Sequence, residues 1–134
     1  MTRLVCLDTS FLIDFLRGSP GADKKLQYYT DNYEPLTTTP INAAELFKGA
    51  YSAKGRKAEV AKAKGILEQL ELLDLSVAVC EKYGGLINEL RSKGTPIGDL
   101  DTLIASAAIV HRQILLTRNK DHFERVPGLA VDSW

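Results

Sequence analysis

Leu4-Val5-Cys6-Leu7 is an unbroken apolar run that stops at Asp8. A run without polar alternation suits a strand covered on both faces, as in a parallel sheet flanked by helices. The theme recurs along the chain. Pro35-Leu36-Thr37-Thr38-Thr39 has β-branched character. Residues 72–75 form a brief, mostly apolar run, Ile114-Leu115-Leu116-Thr117 another, and Leu129-Ala130-Val131 a short one near the end. Helical patterning over 11–16, 22–29, 41–51, 58–71, 77–91 and 100–111 fills the intervals. Thr9 and Ser10 are suitable N-caps for the first helix, and Gly18-Ser19-Pro20-Gly21 breaks it from the second. Pro40 fits the first position of a helix capped by Thr39, and Gly94-Thr95-Pro96-Ile97-Gly98 ends the fifth helix. Residues 103–110 have almost no polar face, which places the last helix in the centre of the fold. Strands alternating with helices predict an α/β fold of three layers (α/β/α) with a four- to five-stranded parallel sheet. The length of 134 residues fits a single domain over 1–134.

Lysine plus arginine equals aspartate plus glutamate, so the net charge is zero. Global charge gives no support for nucleic-acid binding, and any attraction for RNA must come from a local basic rim or a bound cation. Cys6 and Cys80 lack C-x-x-C spacing, lie in different apolar segments and read as buried free thiols in a reducing compartment. No signal-peptide core or membrane-length apolar stretch is present, so the expected location is the cytoplasm.

In open parallel sheets, sites form outside the carboxyl ends of the strands. Asp8 ends the first strand, Glu45 lies in the helix after the second, Asp99 and Asp101 open the central helix, and Asn119 and Asp121 follow the fourth strand. Right-handed crossovers bring these connections to one edge. Converging carboxylates raise one another's pKa, and a hard divalent cation relieves the repulsion. Oxygen ligands of this kind suit Mg²⁺ or Mn²⁺. Two such ions about 3.5–4 Å apart can activate a water and steady the leaving oxygen in phosphodiester cleavage.

Taken one at a time, each residue has a second reading. Asp8 can cap the first helix. Asp99 and Asp101 sit in a first turn, where acids complement the helix dipole. Glu45 can pair with Lys48 in solvent; periodicity puts Ala43, Phe47 and Ala50 on the core face and Glu45 nearly opposite. Thr9 and Ser10 either cap a helix or position a water, and Asn119 is either a turn residue or a neutral ligand. Arg118, Lys120, His122 and Arg125 form a basic run that is either a solvated face or a hold on a phosphate backbone. Lys54-Gly55-Arg56-Lys57 is open to the same two readings.

Together the residues carry a pattern. Leu7-Asp8-Thr9-Ser10-Phe11-Leu12-Ile13-Asp14 resembles the opening of the PIN domain. Thr39-Pro40-Ile41-Asn42-Ala43-Ala44-Glu45-Leu46 is similar to that family's second motif, the stretch from Gly94 to Ala107 to its third, and Leu115-Leu116-Thr117-Arg118-Asn119-Lys120-Asp121-His122-Phe123 to its fourth. Val126-Pro127-Gly128-Leu129 with Trp134 resembles the ending of the small VapC-type toxins. The resemblance spans essentially the whole chain. It implies a Mg²⁺- or Mn²⁺-dependent endoribonuclease, a homodimer, and a cognate VapB-type antitoxin occupying the active-site groove. Carried over by position, Asp8, Glu45 and Asp101 match the main acidic ligands and Asp99 an additional acid. Asn119 matches the fourth position, where the pattern takes Asp or Asn. The neutral choice here weakens the case for a tightly held second metal and leaves Asp121 as a substitute. Thr9 or Ser10 would orient the site, while Arg118, Lys120 and His122 would touch RNA.

Two other readings compete. A PIN-like module can bind RNA or protein without cutting, but the retained acids argue against it. A phosphoacceptor α/β domain fits poorly. An aspartyl phosphatase needs a second Asp two residues after the first, where Ser10 stands, and a receiver domain needs an acceptor Asp on a middle strand, which 36–39 lacks.

Overall fold

The computed structural model describes residues 4–32 and 35–134. Strand β1 (Leu4–Leu7) leads into α1 (Thr9–Leu16) and α2 (Pro20–Asn32). Next come β2 (Leu36–Thr38), α3 (Pro40–Ser52), α4 (Arg56–Leu67) and β3 (Glu71–Leu72). The second half is α5 (Val77–Ser92), α6 (Asp99–Val110), β4 (Gln113–Leu116), α7 (Lys120–Phe123) and β5 (Ala130–Asp132). The strands form a five-stranded sheet in the order β3-β2-β1-β4-β5. Every pairing is parallel, so all carboxyl ends share one edge.

Strand alternation sorts the core into two layers. Val5 and Leu7 of β1, with Ile114 and Leu116 of β4, pack against α1 to α4. Cys6 and Leu115 point the other way, onto Leu86 and Leu90 of α5, Ile104 and Ala108 of α6, and Phe123 of α7. The expected three-layer α/β/α arrangement with helices on both faces is observed. The central placement of α6 also holds, with Ile104 to Ala108 all buried.

Several boundaries differ from expectation for identifiable reasons. Helix α1 starts at Thr9, because Asp8 occupies the N-cap position. Helix α2 begins two residues earlier than predicted, since Pro20 is tolerated in a first helical turn. The helix predicted over 58–71 ends at Leu67, where Gln69 and Leu70 donate back to the carbonyls of Ile66 and Leu67 in tight turns. That early stop lets Glu71 and Leu72 pair with Thr37 and Thr38, so the third strand is shorter and earlier than 72–75. The buried face of α3 carries Asn42, Leu46 and Ala50 rather than Ala43, Phe47 and Ala50. Counting only apolar residues hides a face whose first member is a buried amide.

Cys6 is buried as expected, but Cys80 is exposed on α5. Burial pushes the Cys6 thiol well above its ordinary range, with the Asp8 charge adding to the rise. Among the described residues, no helix is long and apolar enough to cross a membrane. A thiol reagent should modify Cys80 in the native protein and reach Cys6 only after unfolding; mass mapping of the labelled positions checks this. Leu115, fully buried in a central strand, should cost about 2–5 kcal/mol on Leu115→Ala, read by urea unfolding.

Candidate metal centre

Three adjacent strands deliver a polar residue just past their carboxyl ends: Asp8 after β1, Thr39 after β2 and Thr117 after β4. All three are buried. Asp8 sits where a helix cap would, yet its side chain makes no capping hydrogen bond. Its carboxylate is held across the sheet edge instead. Oδ1 accepts from Asn42 Nδ2 at 2.9 Å, and Oδ2 accepts from Thr117 Oγ1 at 2.7 Å and from Ser10 Oγ at 3.3 Å.

Asn42 is the hub of this network. Its Oδ1 accepts from Thr39 Oγ1 at 2.7 Å, while its Nδ2 also donates to Thr9 Oγ1 at 2.9 Å. The opposite amide orientation would set a carbonyl oxygen against the Asp8 carboxylate. Thr9 in turn donates its one hydroxyl proton to Glu45 Oε1 at 2.7 Å. Glu45 is therefore half-buried and turned toward the site, not paired with Lys48 in solvent.

Asp101 is the second carboxylate. Its Oδ2 lies 3.0 Å from His122 Nε2, which is also 3.1 Å from the Ile97 carbonyl oxygen. A carbonyl only accepts, so the proton sits on Nε2. Burial raises the Asp101 pKa, the nearby Asp8 charge raises it further, and the His122 contact opposes both. Asp8 and Asp101 are thus electrostatically coupled. Gly98, whose φ of 96° favours glycine, turns the chain into α6 and so presents Asp101.

The remaining expected residues divide. Asp99 is not drawn into this network. It is exposed and pairs with Arg91 at 3.3 Å, and helical geometry points residues two apart to different sides. The reading of Asp99 as an acid in a first helical turn fits its placement. Ser10 supports the edge: its hydroxyl accepts from the Arg118 backbone N–H at 3.0 Å. Asn119 is exposed, and its backbone N–H donates to Thr117 Oγ1 at 3.1 Å, while its side chain makes no cap. Asp121 is exposed. Arg118, Asn119, Lys120, Asp121, His122 and Arg125 line a depression of about 390 Å³ beside Asp101.

Sequence reasoning missed Asn42 and Thr117, the two closest partners of Asp8. Thr117 holds the same position after β4 that Asp8 holds after β1. Asn42 stands one helical turn before Glu45 and so shares its side of α3.

A family model described as the PIN domain matches residues 5–129. The chain belongs to the PIN-domain family. It is 33% identical over 134 residues to Ribonuclease VapC2 of Rickettsia felis, and 29% identical over 128 residues to the tRNA(fMet)-specific endonuclease VapC of Salmonella typhimurium. Each alignment covers 96% of both chains. Among solved structures, a chain of VapBC2 from Rickettsia felis bound to a promoter DNA fragment superposes with a TM-score of 0.90 at 30% identity, covering 98% of each chain. A chain of DNA-bound VapBC from Salmonella typhimurium also gives 0.90, at 28% identity and 99% coverage of each. These relatives share the PIN-like α/β/α fold.

The donor set suits a hard divalent cation. Among the described residues, the buried Asp8 carboxylate takes its side-chain hydrogen bonds from neutral amide and hydroxyl groups. Among the described residues, no group of three or more His, Cys, Asp or Glu side chains stands ready to hold a metal. Two carboxylates nevertheless match Mg²⁺, which keeps several waters and takes one or two carboxylates from the protein.

The coupling has a sign that stability measurements can read. The folded-state pKa of Asp101 is raised, so the metal-free fold loses stability as pH rises from the ordinary carboxylate range through that raised value. Asp101→Asn removes the charge and keeps the shape. It should raise the melting temperature of the metal-free chain by a few degrees at neutral pH, and the gain should fade in acid. Equal melting temperatures at neutral pH would contradict the raised pKa of Asp101. Asn42→Ala, which leaves Asp8 Oδ1 and the Thr9 hydroxyl short of a donor, should cost about 1–3 kcal/mol in the same assay.

Proposed function

We propose that this chain is a metal-dependent endoribonuclease, the toxin of a VapBC-type toxin–antitoxin pair, that hydrolyses RNA phosphodiester bonds at the Asp8–Asp101 edge. The observation that carries the reading is the buried Asp8 carboxylate, fixed by neutral donors alone and coupled to Asp101. A buried carboxylate whose side-chain hydrogen bonds come from neutral groups is an arrangement that a bound cation would complete, since burying a carboxylate charge is costly unless another charge offsets it.

In this reading Asp8 and Asp101, with Glu45 beside them, would hold Mg²⁺ or Mn²⁺, and the ion would supply activation of water and an offset for charge on the phosphate. The protein's own contribution is orientation. Asn42 and Thr117 lock the plane of Asp8, His122 fixes Asp101, and Thr9 keeps Glu45 in register. Asn119, neutral and exposed, adds little negative charge, which favours one tightly held ion over two. Asp99 is left outside the holding set because its charge is met by Arg91. The partners that go with this reading are a VapB-type antitoxin, a second copy of the chain and an RNA substrate, all in the cytoplasm.

The absence of a ready three-ligand group among the described residues favours one rival, a PIN module that binds RNA without cutting it. Calorimetric titration with Mn²⁺ separates the two. A ribonuclease should bind the ion, and Asp8→Asn or Asp101→Asn should abolish both binding and cleavage of total RNA while the circular dichroism spectrum stays native. Full cleavage by either purified variant would refute the site.

A further inference from the structure

A groove of about 370 Å³, separate from the carboxylate pair, is lined by Gly21, Lys24, Lys25, Tyr28 and Trp134. It joins two aromatic walls to two cations. Tyr28 is 50% exposed. Lys25 Nζ lies 5.8 Å from the Tyr28 ring centre and 3.0 Å from Asp132, so that lysine is anchored, while Lys24 stands exposed on the same helix. At the far wall, Trp134 donates from its indole N–H to Asp14 at 3.2 Å and packs edge-on against Phe11 at 5.0 Å.

The groove connects to the metal centre through one residue. Arg118 lies 5.4 Å from the Trp134 ring centre, pairs with Asp14, and lines the basic depression beside Asp101 and His122. Its backbone N–H also reaches Ser10, which touches Asp8. Aromatic faces, cations and a catalytic edge therefore follow one another along a single track.

Resting on the ribonuclease reading, we propose that this groove is a nucleobase-binding subsite for single-stranded RNA. A base rests against Tyr28 and Trp134, and the flanking phosphates lie along Lys24 and Arg118 toward the Asp8–Asp101 pair. Stacking faces interleaved with cations are what unpaired nucleic acid needs, because each nucleotide offers a π-face and a negative charge. A chain of zero net charge has no general attraction for RNA, and a local track of this kind supplies one alongside the bound cation.

Trp134 is the chain's one tryptophan, so its fluorescence reports on the groove. The full chain is titrated with a short single-stranded oligoribonucleotide of mixed sequence, with divalent ions chelated. Saturable quenching is expected. Tyr28→Ala should weaken binding about 5- to 100-fold, and Tyr28→Phe should restore it. Lys24→Gln should reduce the slope of log affinity against log salt by about 0.7, one phosphate contact on a single strand. With Mn²⁺ present, KM for cleavage should rise with the loss of affinity in Tyr28→Ala. Wild-type binding, quenching and KM in Tyr28→Ala would overturn the subsite while leaving the ribonuclease reading intact. Equal quenching by polyglutamate would also overturn it, giving the groove to an acidic protein tail. A wild-type chain that cleaves no RNA with Mn²⁺ brings down the ribonuclease reading and this subsite together.

Discussion

Asp8 ends a central strand, is buried, and takes a hydrogen bond on each oxygen from a different element: Asn42 of α3 and Thr117 beyond β4. Those bonds tie three connections of the sheet edge to one carboxylate. Among the described residues they bring it no cationic partner. A neutral hydrogen bond offsets part of the desolvation of an ion and leaves the rest to something that binds. The edge is accordingly built around an interaction that the polypeptide leaves incomplete; beside it, burial raises the Asp101 pKa and the Asp8 charge adds to the rise.

Much of the architecture was legible because β1 and most of β4 are apolar on both faces. The β1 run and the nearly all-apolar α6 admit few other placements, and parallel pairing then puts the strand ends on one side. What escaped was set by contacts between distant segments. Helix α3 turns Asn42 inward because Asp8 and Thr9 are there to receive it, and an apolar count cannot register a buried amide. The same blindness hid Thr117. Glu45 was placed by family pattern and not by periodicity, and the structure gives the reason: its position is specified by a hydrogen bond from Thr9 across 36 residues of chain. Asp99 shows the opposite limit. Two acids separated by one residue at a helix start look equivalent in sequence, but the turn of the helix sends one to the sheet edge and the other to Arg91.

His122 gains significance from this geometry. It came from a basic run open to two readings, a solvated face or a hold on a phosphate backbone. In the folded chain they have separate duties: His122 steadies Asp101, Arg118 is drawn to Asp14 and Trp134, and Lys120 stays within 3.8 Å of Glu124. The run is thus less a uniform positive face than a set of struts with a few cations left facing solvent. That makes attraction for a polyanion local and directional, in keeping with a chain whose total charge is nil.

The sheet's outer strands carry one more consequence. At one margin stands β3, two residues long and containing Glu71; at the other stands β5, three residues long and ending in Asp132. Edges this short and this charged offer another polypeptide almost no ladder to extend. The sheet is thereby protected from the runaway strand-to-strand growth that longer edges invite.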